Sequence, residues 1–317
     1  MHCTRYSLCA AGLALLGSAG LGVSEQAPQG EKSTKARWVQ SYDAGYLDQN
    51  GAYAGGSEIM HLAAHKGKLY AANGYWVDAR WEIPPDGQKQ SAQVLQLNAA
   101  DGRWQVDLEM GQANGLGLQY MKGNILKSVT FTRDGAGRLL SQAQNLLVMA
   151  AGANFERGGA VSAWVRDDAA NTWIHTLVRH GSSSGGVRWV PRDMEIYRDK
   201  VTGVEHLMMS LGNPGIISGV YDPSVPGRIR WNRNLEYPFL TEGSFKTRPL
   251  GMTQANGSLF FPEGDSIYRR IDGERRCFAG NPRQHAIAMD GRRHDVVEKQ
   301  RSARWRVASE TQMTRSA

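Results

Sequence analysis

The sequence predicts an all-β fold made of consecutive four-stranded antiparallel meanders. Three observations lead there. A strand–turn–strand motif recurs: LNAADGRWQVDL at 97–108, WVRDDAANTWIHTLV at 164–178, VYDPSVPGRIRW at 220–231 and, less regularly, SIYRRIDGERR at 266–276. Glycine is abundant, 37 in 317 residues, without the every-third-residue period of collagen. Nine tryptophans accompany it, a composition that suits short strands joined by tight turns.

Each motif is the second half of a longer unit, so the units can be read in order. The first is EIMHLAAHKGKLYAANG followed, after an insertion, by AQVLQLNAADGRWQVDL. HKGK and AADG are its turns, each set between runs with strand character. The second unit is ILKSVTFTRDGAGRLLSQAQNLLVMAAG with AVSAWVRDDAANTWIHTLV. The third is RDMEIYRDKVTGVEHLMMSLG with IISGVYDPSVPGRIRWN, and the fourth is RPLGMTQANGSLFFPEG with DSIYRRIDGER. Second strands begin near Leu69, Leu146, His206 and Leu259, and third strands near Val94, Ser162, Ser218 and Ser266. The intervals shorten along the chain, which is structural repetition with variable links.

A lone meander cannot bury both faces; radial stacking supplies the missing partner and leaves short edges. A β-sandwich has no need to repeat one motif four times, and the coils of a parallel β-helix are shorter. LYAANG with VLQLNAADGRW, and the matching LLVMAAG, LMMSLG and LFFPEG with their partners, resemble β-propeller proteins over roughly residues 56–276. The resemblance extends loosely to exported propellers associated with carbohydrate or the cell envelope. The WD dipeptide and a regular kelch pattern are absent from the sequence.

The boundaries follow. Residues 1–24 read as a signal peptide, with the apolar run SLCAAGLALLGSAGLGV and small residues near Gly20 to Ser24 for cleavage. Residues 25–55 form a lead able to supply a closing strand, 56–276 the blades, and 277–317 a basic tail or incomplete last blade. The expected location is therefore secreted or periplasmic, with no integral membrane span after cleavage. Cys3 and Cys9 fall in the leader, which leaves Cys277 alone and the mature fold without an internal disulfide. The net charge of +7 is concentrated late in the chain. Between Arg269 and Arg306, 11 Lys or Arg face 5 Asp or Glu. The near-neutral body offers no broad phosphate-binding surface, so nucleic acid is not an expected partner.

In such a meander the links from second to third strand, and from one unit to the next, open at one end. The first, NGYWVDARWEIPPDGQKQS, carries Tyr75, Trp76 and Trp81 with Asp78 and Arg80. Aromatic faces stack on sugars or on a partner's side chains, and the charged groups add directional hydrogen bonds. GANFERGG adds Asn154 and Arg157; RHGSSSGGVRWVPRD adds His180, Arg188, Trp189 and Arg192. These residues are the candidate ligand contacts, and packing onto the adjoining blade is the alternative role for the tryptophans.

The main functional expectation is recognition of a polysaccharide or envelope glycan. The alternatives are a polysaccharide lyase acting on a uronate-containing polymer and a protein–protein interaction scaffold. A lyase needs charge relief at a carboxylate and a proton acceptor beside it; His180, Arg188 and Tyr197 are the candidates. His61 alternates with apolar neighbours and also fits an inward polar residue paired to backbone. His61 and His65 have the spacing of zinc ligands on a helix, but LAAHKGKLYAAN reads as a hairpin. No cofactor or metal-ligand set is expected, and a structural ion in a central channel is left open. Asn256-Gly257-Ser258 fits both an N-glycosylation acceptor and an Asn-Gly hairpin turn.

Overall fold

The structure, a computed structural model, describes residues 36, 38–75, 91–111, 120–153, 160–180, 190–212, 214–238, 250–264 and 266–273. The expected leader and basic tail lie outside them. Contacts divide the chain into Met1–Gln40 and Ser41–Ala317. In the first unit, the described residues 36 and 38–40 form no helix or strand.

The second unit is all-β. A short hairpin, β1 (Tyr46–Leu47) and β2 (Tyr53–Ala54), precedes four sheets. Sheet I is β3 (Glu58–His65), β4 (Lys68–Gly74), β5 (Gln93–Leu97) and β6 (Gln105–Glu109). Sheet II is β7 (Ile125–Arg133), β8 (Leu139–Gly152), β9 (Ala160–Asp167) and β10 (Thr172–His180). Sheet III is β11 (Met194–Arg198), β12 (Glu205–Ser210), β13 (Gly215–Tyr221) and a fourth strand in two pieces. Those pieces, β14 (Ile229–Trp231) and β15 (Tyr237–Pro238), both pair with β13. Sheet IV is β16 (Thr253–Ala255), β17 (Ser258–Glu263) and β18 (Ser266–Arg269).

Every strand pairing is antiparallel and, apart from β15 with β13, between sequence neighbours, the strand order of propeller blades. The four predicted second strands are β4, β8, β12 and β17, each holding its expected apolar run. Turn chemistry sets the registers. In HKGK, Lys66 and Gly67 have φ of 46° and 77°, and in ANGS, Asn256 and Gly257 have 49° and 66°. Paired positive φ is the two-residue turn whose twist matches flanking strands, and Asn-Gly adopts it readily. Residues 256–257 are therefore a hairpin turn.

The core follows from the period-two alternation of strand side chains. In β8, Leu147, Met149 and Ala151 join Tyr70, Ala72 and Val94 between sheets I and II. Leu146, Val148 and Ala150 point the other way and join Leu207, Met209 and Ile217 between sheets II and III. Met208 and Tyr197 meet Leu259 and Phe261 between sheets III and IV. The hairpin's Ala54, with Tyr42 and Tyr46, covers the remaining face of sheet I at Ala71, Leu95 and Trp104. Each fully buried large apolar side chain contributes about 1.5–3 kcal/mol, which explains why continuous runs such as LLVMAA are needed on both faces. Sheets I to III are thus covered on both sides in chain order. Their first strands adjoin: β7 packs against β3 on one side and β11 on the other.

Candidate functional site

The meander separates two ends. At one, turns are tight: 66–67, 98–104, 134–138, 168–171, 199–204, 222–228 and 256–257. At the other, the link end, are the four longest connections, 75–92, 110–124, 181–193 and 239–252, beside three short ones, 153–159, 211–214 and 264–265. In the sequence, the candidate ligand residues fall within 75–92, 153–159 and 181–193. Trp76, Asp78, Arg80, Trp81, Asn154, Arg157, Arg188 and Trp189 fall outside the described residues.

Tyr75, by contrast, is described, and it is buried at 4% exposure. Its hydroxyl lies 2.1 Å from where a Cβ on Gly55 would stand, so the ring depends on that glycine for room. It is part of a tyrosine cluster in which the Tyr42 hydroxyl donates to Gly55 O at 2.6 Å. Burial and the neighbouring Tyr46, Tyr75 and Tyr53 raise the Tyr42 pKa. Tyr75 thus packs inside the cluster. His180 is exposed at the link end of β10, opposite Ala160. Arg192 is half-buried before β11.

Tyr197 sits elsewhere. It is 1% exposed and lies towards the tight-turn end of β11. Its hydroxyl donates to Asp272, 2.7 and 2.8 Å from the two carboxylate oxygens. Burial, then Asp272, pushes its pKa up to about 12. Arg270 stands 5.3 Å over the ring and pairs with Asp199 and Asp272, both at 2.6 Å, and with Glu236 at 2.8 Å. Asp199 also accepts from the amides of Val201 and Thr202, closing the turn. His180 and Tyr197 therefore lie toward opposite ends of neighbouring sheets, and the structure does not bring them together.

A second buried cation ties sheet I to sheet II at the same tight-turn end. Arg166, 4% exposed, donates from Nε and Nη2 to Asp107 at 2.9 and 3.0 Å and from Nη1 to Asp168 at 2.9 Å. It also reaches Gln96 and Asn171, and stands 5.3 Å over the Tyr70 ring. Asp168 accepts from Lys66 at 2.6 Å and meets His65 Nε2 at 3.0 Å, while His65 Nδ1 meets Ser128 Oγ at 2.9 Å. Burial opposes the Asp168 charge, but hydrogen bonds from Lys66, His65 and Arg166 outweigh it and hold the carboxyl at about 2. Between sheets II and III, Glu205 accepts from the Thr132 amide and hydroxyl, both at 2.6 Å, and from the Arg133 amide at 2.9 Å.

Nearer the link end, polar residues of the adjoining first strands form a row. Lys127 of β7 donates to Met194 O at 2.7 Å and Glu195 at 2.6 Å, with Asp193 at 3.8 Å. Glu195 of β11 accepts from Gln254 of β16 at 3.1 Å, and Gln254 also donates to Ile196 O. Asp193 accepts from the Met252 amide at 2.7 Å. His61 of β3 is half-buried; burial lowers its pKa, Lys127 adds to that, and a backbone bond to Asn124 and the Asp193 charge oppose it. His61 thus has the inward, backbone-paired role that its alternation suggested. The sequence signal for the row is a polar residue early in each first strand: IMH, ILK, ME and TQ.

Groups of three or more His, Cys, Asp or Glu able to hold a metal ion are absent among the described residues. Neither is there, among those residues, a helix long and apolar enough to cross a membrane.

No family model matches the chain, and no curated protein matches it. Among solved structures it is similar to the Nup133 β-propeller domain of Vanderwaltozyma polyspora, at 13% identity and a TM-score of 0.31. The alignment covers 74% of this chain and 58% of that domain. The reading of the four sheets as blades rests on strand order and packing, not on that likeness.

Proposed function

We propose that this protein is a non-catalytic interaction scaffold whose link end binds another protein. One observation carries the reading: the difference between the two ends of the meanders. Charged side chains buried between sheets, Arg166, Glu205 and Arg270, tie one end, while the four longest connections leave the sheets at the other. A tied base with long connections leaving one end suits recognition. The placement of Tyr75 and Tyr197 in internal clusters leaves fewer groups for the glycan platform and for lyase chemistry. The leader supports export, and we place the protein in the secreted or periplasmic compartment on that ground.

The test is cross-linking mass spectrometry on the purified protein with candidate envelope proteins, beside retention on neutral and acidic polysaccharides. Cross-links should map to connections 75–92, 110–124 and 181–193, and Trp76→Ala with Trp81→Ala should weaken them. Cross-links confined to the tight-turn end would overturn the proposal. Polysaccharide retention that depends on Trp76 would replace it with glycan recognition. Release of unsaturated uronates, lost in Arg188→Ala, would replace it with the lyase.

A further inference from the structure

Among the described residues, sheet IV differs from the other three in having one face that no other element covers. Leu259, Phe261 and Tyr268 point into the core shared with sheet III. The register pairs Phe260 with Arg269 and Pro262 with Ile267 on the opposite face, and Thr253 pairs with Phe260 there too. Ile267 is 77% exposed, and Ile271, just beyond β18, is 78% exposed. Phe260 and Pro262 are half-buried. Among the described residues the sheet has three strands, and the outer edge of β18 pairs with no further strand. An antiparallel sheet can leave one face to water when that face is polar, but here Ile267 and Ile271 make it apolar, which marks it for cover.

We propose that this face is covered by the chain's own C-terminal segment, residues 274–317. Three features select that occupant. Cover is supplied in chain order throughout: the hairpin covers sheet I, and each sheet then covers the next. The next cover in that order is the segment that follows β18. Its attachment is local, because residue 273 lies just past the exposed Ile271, so docking is intramolecular and favoured by a high effective concentration. It also carries two apolar runs, AIAM at 286–289 and WRVA at 305–308, amid otherwise polar sequence. The inference is independent of what the link end binds.

A protease site inserted after Gly273 in the full chain allows the folded protein to be nicked. The freed segment should co-elute with the body in size-exclusion chromatography. In the un-nicked chain, Ile287→Asp with Trp305→Asp should speed amide hydrogen exchange across Ser266–Arg269 by about tenfold or more, a measure of lost cover. A segment that separates on nicking, with exchange in β18 unchanged, would overturn the proposal. So would a full-length dimer whose dilution, rather than nicking, exposes β18, because a second copy would then be the cover.

Discussion

Replacing Arg166 with methionine keeps an apolar stem and deletes the charge that joins sheet I to sheet II. The loss falls mainly on Asp107, whose side chain is 7% exposed. Without Arg166 it retains the Trp173 indole N–H at 2.6 Å. Asp168 suffers less, being 23% exposed and still held by Lys66 and His65. Removing one partner of a buried ion pair costs about 3–5 kcal/mol, and the partners left to Asp168 set the expectation near the lower end, about 3 kcal/mol. Urea unfolding followed by tryptophan fluorescence reads this directly, since Trp164 and Trp173 belong to the same interface. Adding Asp107→Leu removes the stranded charge, and exchanging a whole buried pair for apolar groups is often close to neutral. The double variant should therefore recover most of the loss. A single-variant loss below about 1 kcal/mol, or a double variant equal to the sum of its singles, would refute the tie as described.

Asp168 predicts an acid limb. Its folded pKa, about 2, lies below the ordinary 3.8. Its contribution is thus complete above about pH 4 and is lost as pH falls through about 2, amounting to about 2 kcal/mol. Asp168→Asn should flatten that part of the stability curve; parallel curves would contradict the assignment. Tyr197→Phe removes a hydrogen bond to a carboxylate and should cost about 1–2 kcal/mol in urea unfolding; an unchanged midpoint would mean the hydroxyl is not part of the tie. Gly55→Ala drives a methyl into the Tyr75 hydroxyl and the Tyr53 ring. It should cost about 1–3 kcal/mol as overpacking, and a change below about 0.5 kcal/mol would show that Tyr75 is not held there.

The sheets were legible in the sequence because their determinants are local. Continuous apolar runs mark β4, β8 and β12, and Lys66-Gly67 and Asn256-Gly257 mark turns within a few residues of the strands they join. The polar ties were not legible. Arg166 and Asp107 lie 59 residues apart, and Arg270 and Asp199 lie 71 apart. Their partnership depends on which sheets stack and on strand register, neither of which leaves a spacing to detect. Tyr75 misled for a related reason. It directly precedes Trp76 in a connection and reads as part of an exposed aromatic group, but Gly55, from a separate segment, provides the space that buries it.

The location of the ties also bears on function. The three boundaries between sheets each carry a charged side chain at the tight-turn end: Arg166 between I and II, Glu205 between II and III, and Arg270 between III and IV. A buried charge is costly unless its partners hold fixed positions, so these groups oppose sliding of one sheet over the next more strongly than apolar packing does. The first-strand row through Lys127, Glu195 and Gln254 adds a lighter constraint, partly open to solvent. With alignment fixed at one end, connections at the other can change length and composition without loosening the stack. That separation explains how a chain with links as unequal as 75–92 and 211–214 keeps one strand order in all four sheets.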